Sequence, residues 1–398
     1  MEESFPFPYS LLEYLFTWVG LLLFLLDIAL DIRTVVLFYQ DGDYVYMAVM
    51  IFLLLGSSIL LQVFSWLWYS DCLDELKTKA EAFADRHKLI KPLHFLQLGL
   101  YLRSVIYLLL NFPRIVLTNR FRNGVVVLLN QDLQMLRLFE AFSESAPQLI
   151  LLMCRILQRG ELELITGLKI LSSAASIAST EALYHRSMCS YLHKNREMSW
   201  IPTGIYFLWN LLLIIPRVTA LALFCSVLPR YIIAHFLSLW MLLVLGVWSQ
   251  KTDHMESLGL EWLFRATVGI IWYFSWFKVS TNCVMGLDTV MLLGFWCWKE
   301  FEYTGCWSSL NPYIVIPTLV GLHVVGILVK IIYYTRFHPN CDEQKIAKPS
   351  EHQKKRHDEG FYSMNTGSVE SLSEDRAPAQ PVTGVLKRGR NMAAHFYH

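Results

Sequence analysis

Motifs that carry chemistry are missing from this sequence. It holds no P-loop, no nucleotide-binding glycine fingerprint, no GxSxG and no HExxH. Nothing in it therefore supplies a phosphate cradle, an activated serine or a catalytic zinc. The expectation is a protein that is not an enzyme and needs no cofactor and no metal. Charge is scarce too: 17% of residues are ionisable Asp, Glu, Lys or Arg, and the net charge is +1. No field of one sign recommends nucleic acid as a partner. The eight cysteines (72, 154, 189, 225, 283, 297, 306 and 341) form no CxxC pair, which excludes a zinc ribbon or a dense disulfide framework. Cys297 and Cys306 are a candidate pair if both face outside. No N-x-[S/T] sequon occurs, and MEESFPFPYS at the start has no basic n-region or cleavage site, so no removable signal peptide is expected.

Apolar residues are abundant instead. They make up 55% of the chain, aromatics make up 14%, and mean hydropathy is positive. That composition belongs to a polytopic membrane protein. A bilayer core about 30 Å thick needs roughly 20 apolar residues per helix. Residues 10–39, 44–69, 125–157, 164–186, 203–227, 231–250, 260–279 and 312–335 meet that need. Residues 92–112, interrupted by Arg103, and 284–299, which carries Asp288, read as re-entrant half-helices. The expected fold is all-α, with about eight spans, two re-entrant elements and both termini in the cytosol, because the Arg-rich segment 114–122 belongs inside. The short QDGDY is then an outside turn. Residues 1–337 form the membrane domain. From residue 338 to 398, Lys, Glu, Ser, Pro and His replace the aliphatics, as in a disordered tail. There Ser371 and Ser373 stand in SVESLSED, where added phosphate acts as a charge switch.

Charges inside the spans are the informative feature, since an ionisable group at membrane depth faces a partner or a polar path. Glu13, Asp27 and Asp31 share one side of the first helix, with Glu13 and Asp27 about 21 Å apart in rise. In QDLQMLRLFEAFSESAPQLIL, Arg137, Glu140 and Glu144 fall within about 60° of one another, after Asp132. Arg103, Glu181, Arg217, Glu261, Arg265, Lys278 and Asp288 add single charges. Two readings stand: ion pairs that fix helix register, or a wet path for polar groups. Arg265 and Lys278, near span ends, are expected to snorkel. His94, His235 and His323 read as packed or interfacial residues. The clusters FSWLWY (64–69), WYFSWF (272–277) and FWCW (295–298) read as interfacial belts.

LLDIALDI (25–32), LLQVFSWLW (60–68), HFLQLG (94–99), MLRLFEAFSESAPQL (135–149), YFLWNLLLIIPRV (206–218), LEWLFR with YFSWF (260–277) and YYTRFHP (333–339) resemble the XK-related family, and most closely its apoptotic scramblase branch. The resemblance implies a plasma-membrane phospholipid scramblase that moves phosphatidylserine and other lipids both ways without ATP. It implies a charged headgroup path through Glu13, Asp27, Asp31, Asp132, Arg137, Glu140, Glu144 and Arg217, with Arg103, Glu181 and Asp288 as additional candidates. It also implies a single-span immunoglobulin-like partner, basigin or neuroplastin. The chain departs from the family in two places. The acid expected directly before YHR is Leu183, and Glu181 lies about 160° round the helix from that position. The tail has no Asp-x-x-Asp-small caspase site; Asp342, Asp358 and Asp375 are isolated. Phosphorylation, a partner or constitutive activity is the expected control. Two alternatives remain: an adaptor that uses its charges only to pair helices, or a solute transporter, which the lack of inverted repeats disfavours.

Overall fold

Helices alone are found among the described residues of the computed structural model, which are 11–70, 120–159, 164–192, 200–249, 258–275, 279–302 and 312–337. In chain order they are α1 (Leu11–Gln40), α2 (Tyr44–Ser70), α3 (Arg120–Glu140), a π turn (Ala141–Ser145), α4 (Ala146–Arg159), α5 (Leu164–Leu192), α6 (Trp200–Val227), α7 (Ile232–Ser249), α8 (Leu258–Phe274), α9 (Val279–Glu302) and α10 (Pro312–Arg336).

α6 is the hub. Two-thirds of its most apolar 18-residue stretch is buried inside the protein, against about a fifth for α2, α7 and α10. It packs against α4, α5, α9 and α10, while α3 lies along α5 and α7 lies along α8. Asn130 of α3 reaches Ser187 of α5 at 3.5 Å and Leu152 of α4 packs in one cluster with Ile170 of α5, so the α3–α4 rod and α5 run antiparallel.

Polarity is inverted relative to a water-soluble fold. Phe52, Ile233, Leu242, Ile314 and Leu328 face outward, whereas Asp31, Glu144, Lys169, Glu181, Arg217 and Lys330 are buried. Lipid welcomes the first set, and only a protein interior satisfies the second. Among the described residues, Tyr44–Trp68, Trp200–Val227, Ile232–Ser249 and Tyr313–Arg336 are apolar and long enough to cross a bilayer by composition alone. The chain is an all-α membrane protein.

Two local features shape the bundle. α1 stops in a Schellman motif, with Gly42 at φ +73°, Gly42 N donating to Tyr39 O at 3.2 Å and Asp43 N to Phe38 O at 2.9 Å. A left-handed residue there favours glycine. α3 passes into α4 through a π turn in which Ala146 N bonds Ala141 O. Pro147 has no N–H to give the carbonyl of Ser143, so the extra residue is absorbed at the place where the α-helical ladder is already broken.

Two expectations change in detail. α9 is a continuous 24-residue helix, longer than the half-length re-entrant element expected at 284–299. The proposed element at 92–112 lies outside the described residues. The aromatic clusters are largely core: Phe64, Trp68, Trp272 and Trp296 are buried, while Trp66 and Phe295 between them are exposed. Alternate rings on a helix separate onto two faces, and one face packs inward.

Candidate functional site

The first charged region forms where α1, α3, α4 and α5 meet. Asp31 and Lys169 are an ion pair with 1% and 4% side-chain exposure. Gln148 Nε2 donates to Asp31 Oδ2 and to Glu144 Oε1, each at 3.5 Å, which links the acid of α1 to the acid of the π turn. Thr34 Oγ1 lies 3.4 Å from the Lys169 ammonium. Glu144 sits beside Ser57 of α2, Asp27 and Asp31, and Glu140 lies in the field of Arg137, Glu144, Asp27 and Asp31. The Ser143 hydroxyl is shared between Phe139 O at 2.6 Å and Ser57 Oγ at 3.1 Å. The sequence therefore brings Asp27, Asp31, Arg137, Glu140 and Glu144 into one neighbourhood of mixed sign.

A second region lies on the far side of α6. Arg217, directly after Pro216, is fully buried and paired with Asp288 of α9. It also donates to Thr289 Oγ1 at 3.3 Å and stacks 5.0 Å over the Tyr273 ring. His235 of α7 binds Asp288 Oδ1 through Nε2 at 3.0 Å and Tyr273 OH through Nδ1 at 3.1 Å. α6 and α7 thus each bond the one carboxylate of α9, and Tyr273 of α8 holds both of the groups that reach it. Guanidinium and imidazole share it, as a buried charge must be shared to persist away from water.

Glu181 stands apart from both. It is 1% exposed on α5 and faces the field of Lys330 on α10. The Lys330 ammonium lies 4.8 Å over the Trp209 ring. Asp132 is half-buried on α3, and the side chain of Glu13 is not among those described. Arg103, Ser371, Ser373, Lys278 and Cys306 lie outside the described residues; Cys297 is a free thiol. Arg265 does not reach for an interface: it is buried and pairs with Glu261 at 3.3 Å, one helical turn away.

At one end of the bundle the α1–α2 turn is held to the end of α4. Arg155 binds Asp41 and, through Nε, Asp43 at 2.9 Å; Arg159 binds Asp41 at 3.1 Å and Asp43 at 2.8 Å. Arg155 also covers the Phe38 ring at 4.7 Å. Burial pushes the Asp43 carboxyl up, but its bonds to Arg155 and Arg159 outweigh this and hold it below its ordinary value. Tyr46 OH completes the contact by donating to Gln158 Oε1 at 2.5 Å.

The residues that reading by segment left out are Lys169, Lys330, Arg155 and Arg159. Each is a cation within or at the end of an apolar run, and its partner lies on a distant helix or, for Arg155 and Arg159, in the α1–α2 turn more than a hundred residues away.

These features define a class: a helical membrane protein with acids and bases gathered inside its bundle. The XK-related family model matches residues 15–339. The chain is 38% identical to XK-related protein 8 of Tetraodon nigroviridis, over 88% of this chain and 89% of that protein. It is 34% identical to XK-related protein 8 of Pan troglodytes (81% and 83%) and 27% identical to XK-related protein 9 of Tetraodon nigroviridis (83% and 92%). The chain belongs to the XK-related family.

Proposed function

We propose that this protein is a phospholipid scramblase, which lets phosphatidylserine and other phospholipids cross the plasma membrane in both directions without ATP and so exposes phosphatidylserine when activated. The observation that carries the reading is the mixed-sign neighbourhood of Asp27, Asp31, Arg137, Glu140, Glu144 and Lys169 inside an apolar bundle. A headgroup in hydrocarbon has no partners, so desolvation dominates the barrier to its crossing. Acids and bases in one groove replace its water: cations meet the phosphate and acids meet the ammonium, while the acyl chains stay in lipid. Glu13, Asp132 and Arg217 extend the path in this reading, with Arg103, Glu181 and Asp288 as further candidates. No covalent chemistry and no cofactor are required.

Both termini lie in the cytosol in this proposal, and residues 338–398 act as a brake or signal input through Ser371 and Ser373. A single-span immunoglobulin-like protein of the basigin or neuroplastin kind serves as escort. A second reading is favoured by the close Asp31–Lys169 and Arg217–Asp288 pairs: the charges only register helices, and the protein is an adaptor.

The test is reconstitution. Full-length protein, and protein ended after His338, are placed in liposomes with NBD-labelled phosphatidylserine and external dithionite. Fluorescence loss well past the outer-leaflet half is the expected result, and loss only in the shortened form assigns the tail as a brake. A plateau near half for both forms, with the protein folded and the single-span partner supplied, would refute the scramblase reading.

A further inference from the structure

Near the start of α5, a cleft between α1, α4 and α5 is lined by Arg33, Arg155 and Lys169, the hydroxyl residues Thr34 and Thr166, and three leucines. Among the described residues, no carboxylate lines it. The acids that neutralise two of these cations lie elsewhere: Asp31 takes Lys169, and Asp41 and Asp43 take Arg155 from the α1–α2 turn. Arg155 uses Nε and Nη2 for those bonds and makes none through Nη1 among the described residues. Arg33 is exposed and has no ion pair or hydrogen bond among the described residues. Three cations thus share one wall, and at least one is uncommitted.

We propose that this cleft is a binding site for a phosphate ester, the anion that every phospholipid headgroup carries. Guanidinium forks match a tetrahedral oxyanion with paired donors, and an ammonium adds a point charge. The leucines suit the glycerol or first acyl carbons of a lipid. Lys169 joins the cleft to the charged interior, because its ammonium also holds Asp31. As the point where a headgroup enters that interior, the site rests on the scramblase reading; as an anion site it is tested separately.

Full-length protein in detergent is titrated with dihexanoyl phosphatidylserine below its micellar concentration, with dihexanoyl glycerol, and with inorganic phosphate. Wild type, R33E and R33K are compared, with R33Q replacing R33E if the latter shifts the thermal midpoint. Phosphatidylserine should saturate the wild type, R33E should weaken it by at least about tenfold, and R33K should keep most of the affinity. Competition by inorganic phosphate identifies the anion itself as sufficient. Failure to compete, with lipid binding still dependent on Arg33, assigns the site to lipid-borne phosphate. Equal binding by wild type and R33E, or equal binding of dihexanoyl glycerol, overturns the site. Liposome scrambling of the wild type is read in parallel. Scrambling without an Arg33-dependent site overturns the site alone, whereas Arg33-dependent binding without scrambling overturns the function alone.

Discussion

Lys169 of α5 and Asp31 of α1 form an ion pair that is almost completely shielded, with side-chain exposures of 4% and 1%. Removing one member leaves the other charged and buried, which costs about 3–5 kcal/mol, whereas removing both costs far less. Lys169→Met should therefore lower the thermal midpoint markedly, and Asp31→Asn combined with Lys169→Met should recover most of the loss. Thermal unfolding of the purified variants in one detergent measures this directly. A double variant no better than the single one contradicts the pairing.

Asp288 is shared by Arg217 and His235, but unequally. Arg217 has no exposure, whereas the His235 side chain is 17% exposed and retains Tyr273 as a partner. Asp288→Asn should thus destabilise by about 3 kcal/mol or more by stranding the guanidinium. His235→Asn should cost about 1 kcal/mol, on the scale of a lost hydrogen bond. Equal effects in the same unfolding assay would place the imidazole, not the guanidinium, at the centre of this cluster.

The clamp on the α1–α2 turn predicts a pH dependence. Asp43 has a depressed pKa in the folded protein, so its contribution is fully present above the ordinary carboxylate value of 3.8. It is lost as pH falls through the lower folded value. The stability contributed by Asp43 should stay flat from about pH 7 to pH 5 and decline only below about pH 4. Asp43→Asn should remove that acid-dependent increment while leaving Arg155 stacked on Phe38. Midpoints of wild type and variant at several pH values give the comparison, and a difference that grows on going from pH 5 to pH 7 contradicts it.

Two glycines permit close helix contacts. A Cβ on Gly326 of α10 would lie 2.8 Å from Leu213 Cδ2 of α6, and one on Gly269 of α8 would lie 2.7 Å from Val244 Cγ2 of α7. Gly326→Val and Gly269→Val should each cost about 1–3 kcal/mol through overpacking. Gly56 and Gly204 have nothing within 4 Å, so alanine there should be neutral or stabilising by up to about 1 kcal/mol. Equal losses at all four positions would mean that backbone freedom, not packing space, decides the outcome.

Much of this was legible from segments alone. Length and hydropathy place the helices, and α1, α2, α6, α7 and α10 start and end within a few residues of the expected spans. The acids of α1 and the Arg137–Glu140–Glu144 stripe were legible because each repeats on one helical face. Lys169 and Lys330 were not, since one cation in an apolar run has no period, and what it meets is set by how distant helices pack. The same holds for Arg217 and Asp288, two separate candidates that the fold turns into one pair. Arg265 is different: its partner Glu261 stands one turn away, and the i, i+4 spacing alone exposes the pair. The π turn escaped because it changes no side-chain type; only Pro147 marks it.

In a scramblase the interior charges carry headgroups and do not merely pin helices together. Arg137→Gln with Glu140→Gln tests it most directly, because both residues neighbour the mixed-sign cluster and the change removes charge with little change in volume. The double variant is purified beside wild type, checked for the same monodisperse profile and thermal midpoint, and assayed for dithionite-accessible NBD-phosphatidylserine in liposomes. The expected result is a folded protein that has lost most of its lipid movement. A variant that is equally folded and scrambles at the wild-type rate contradicts it.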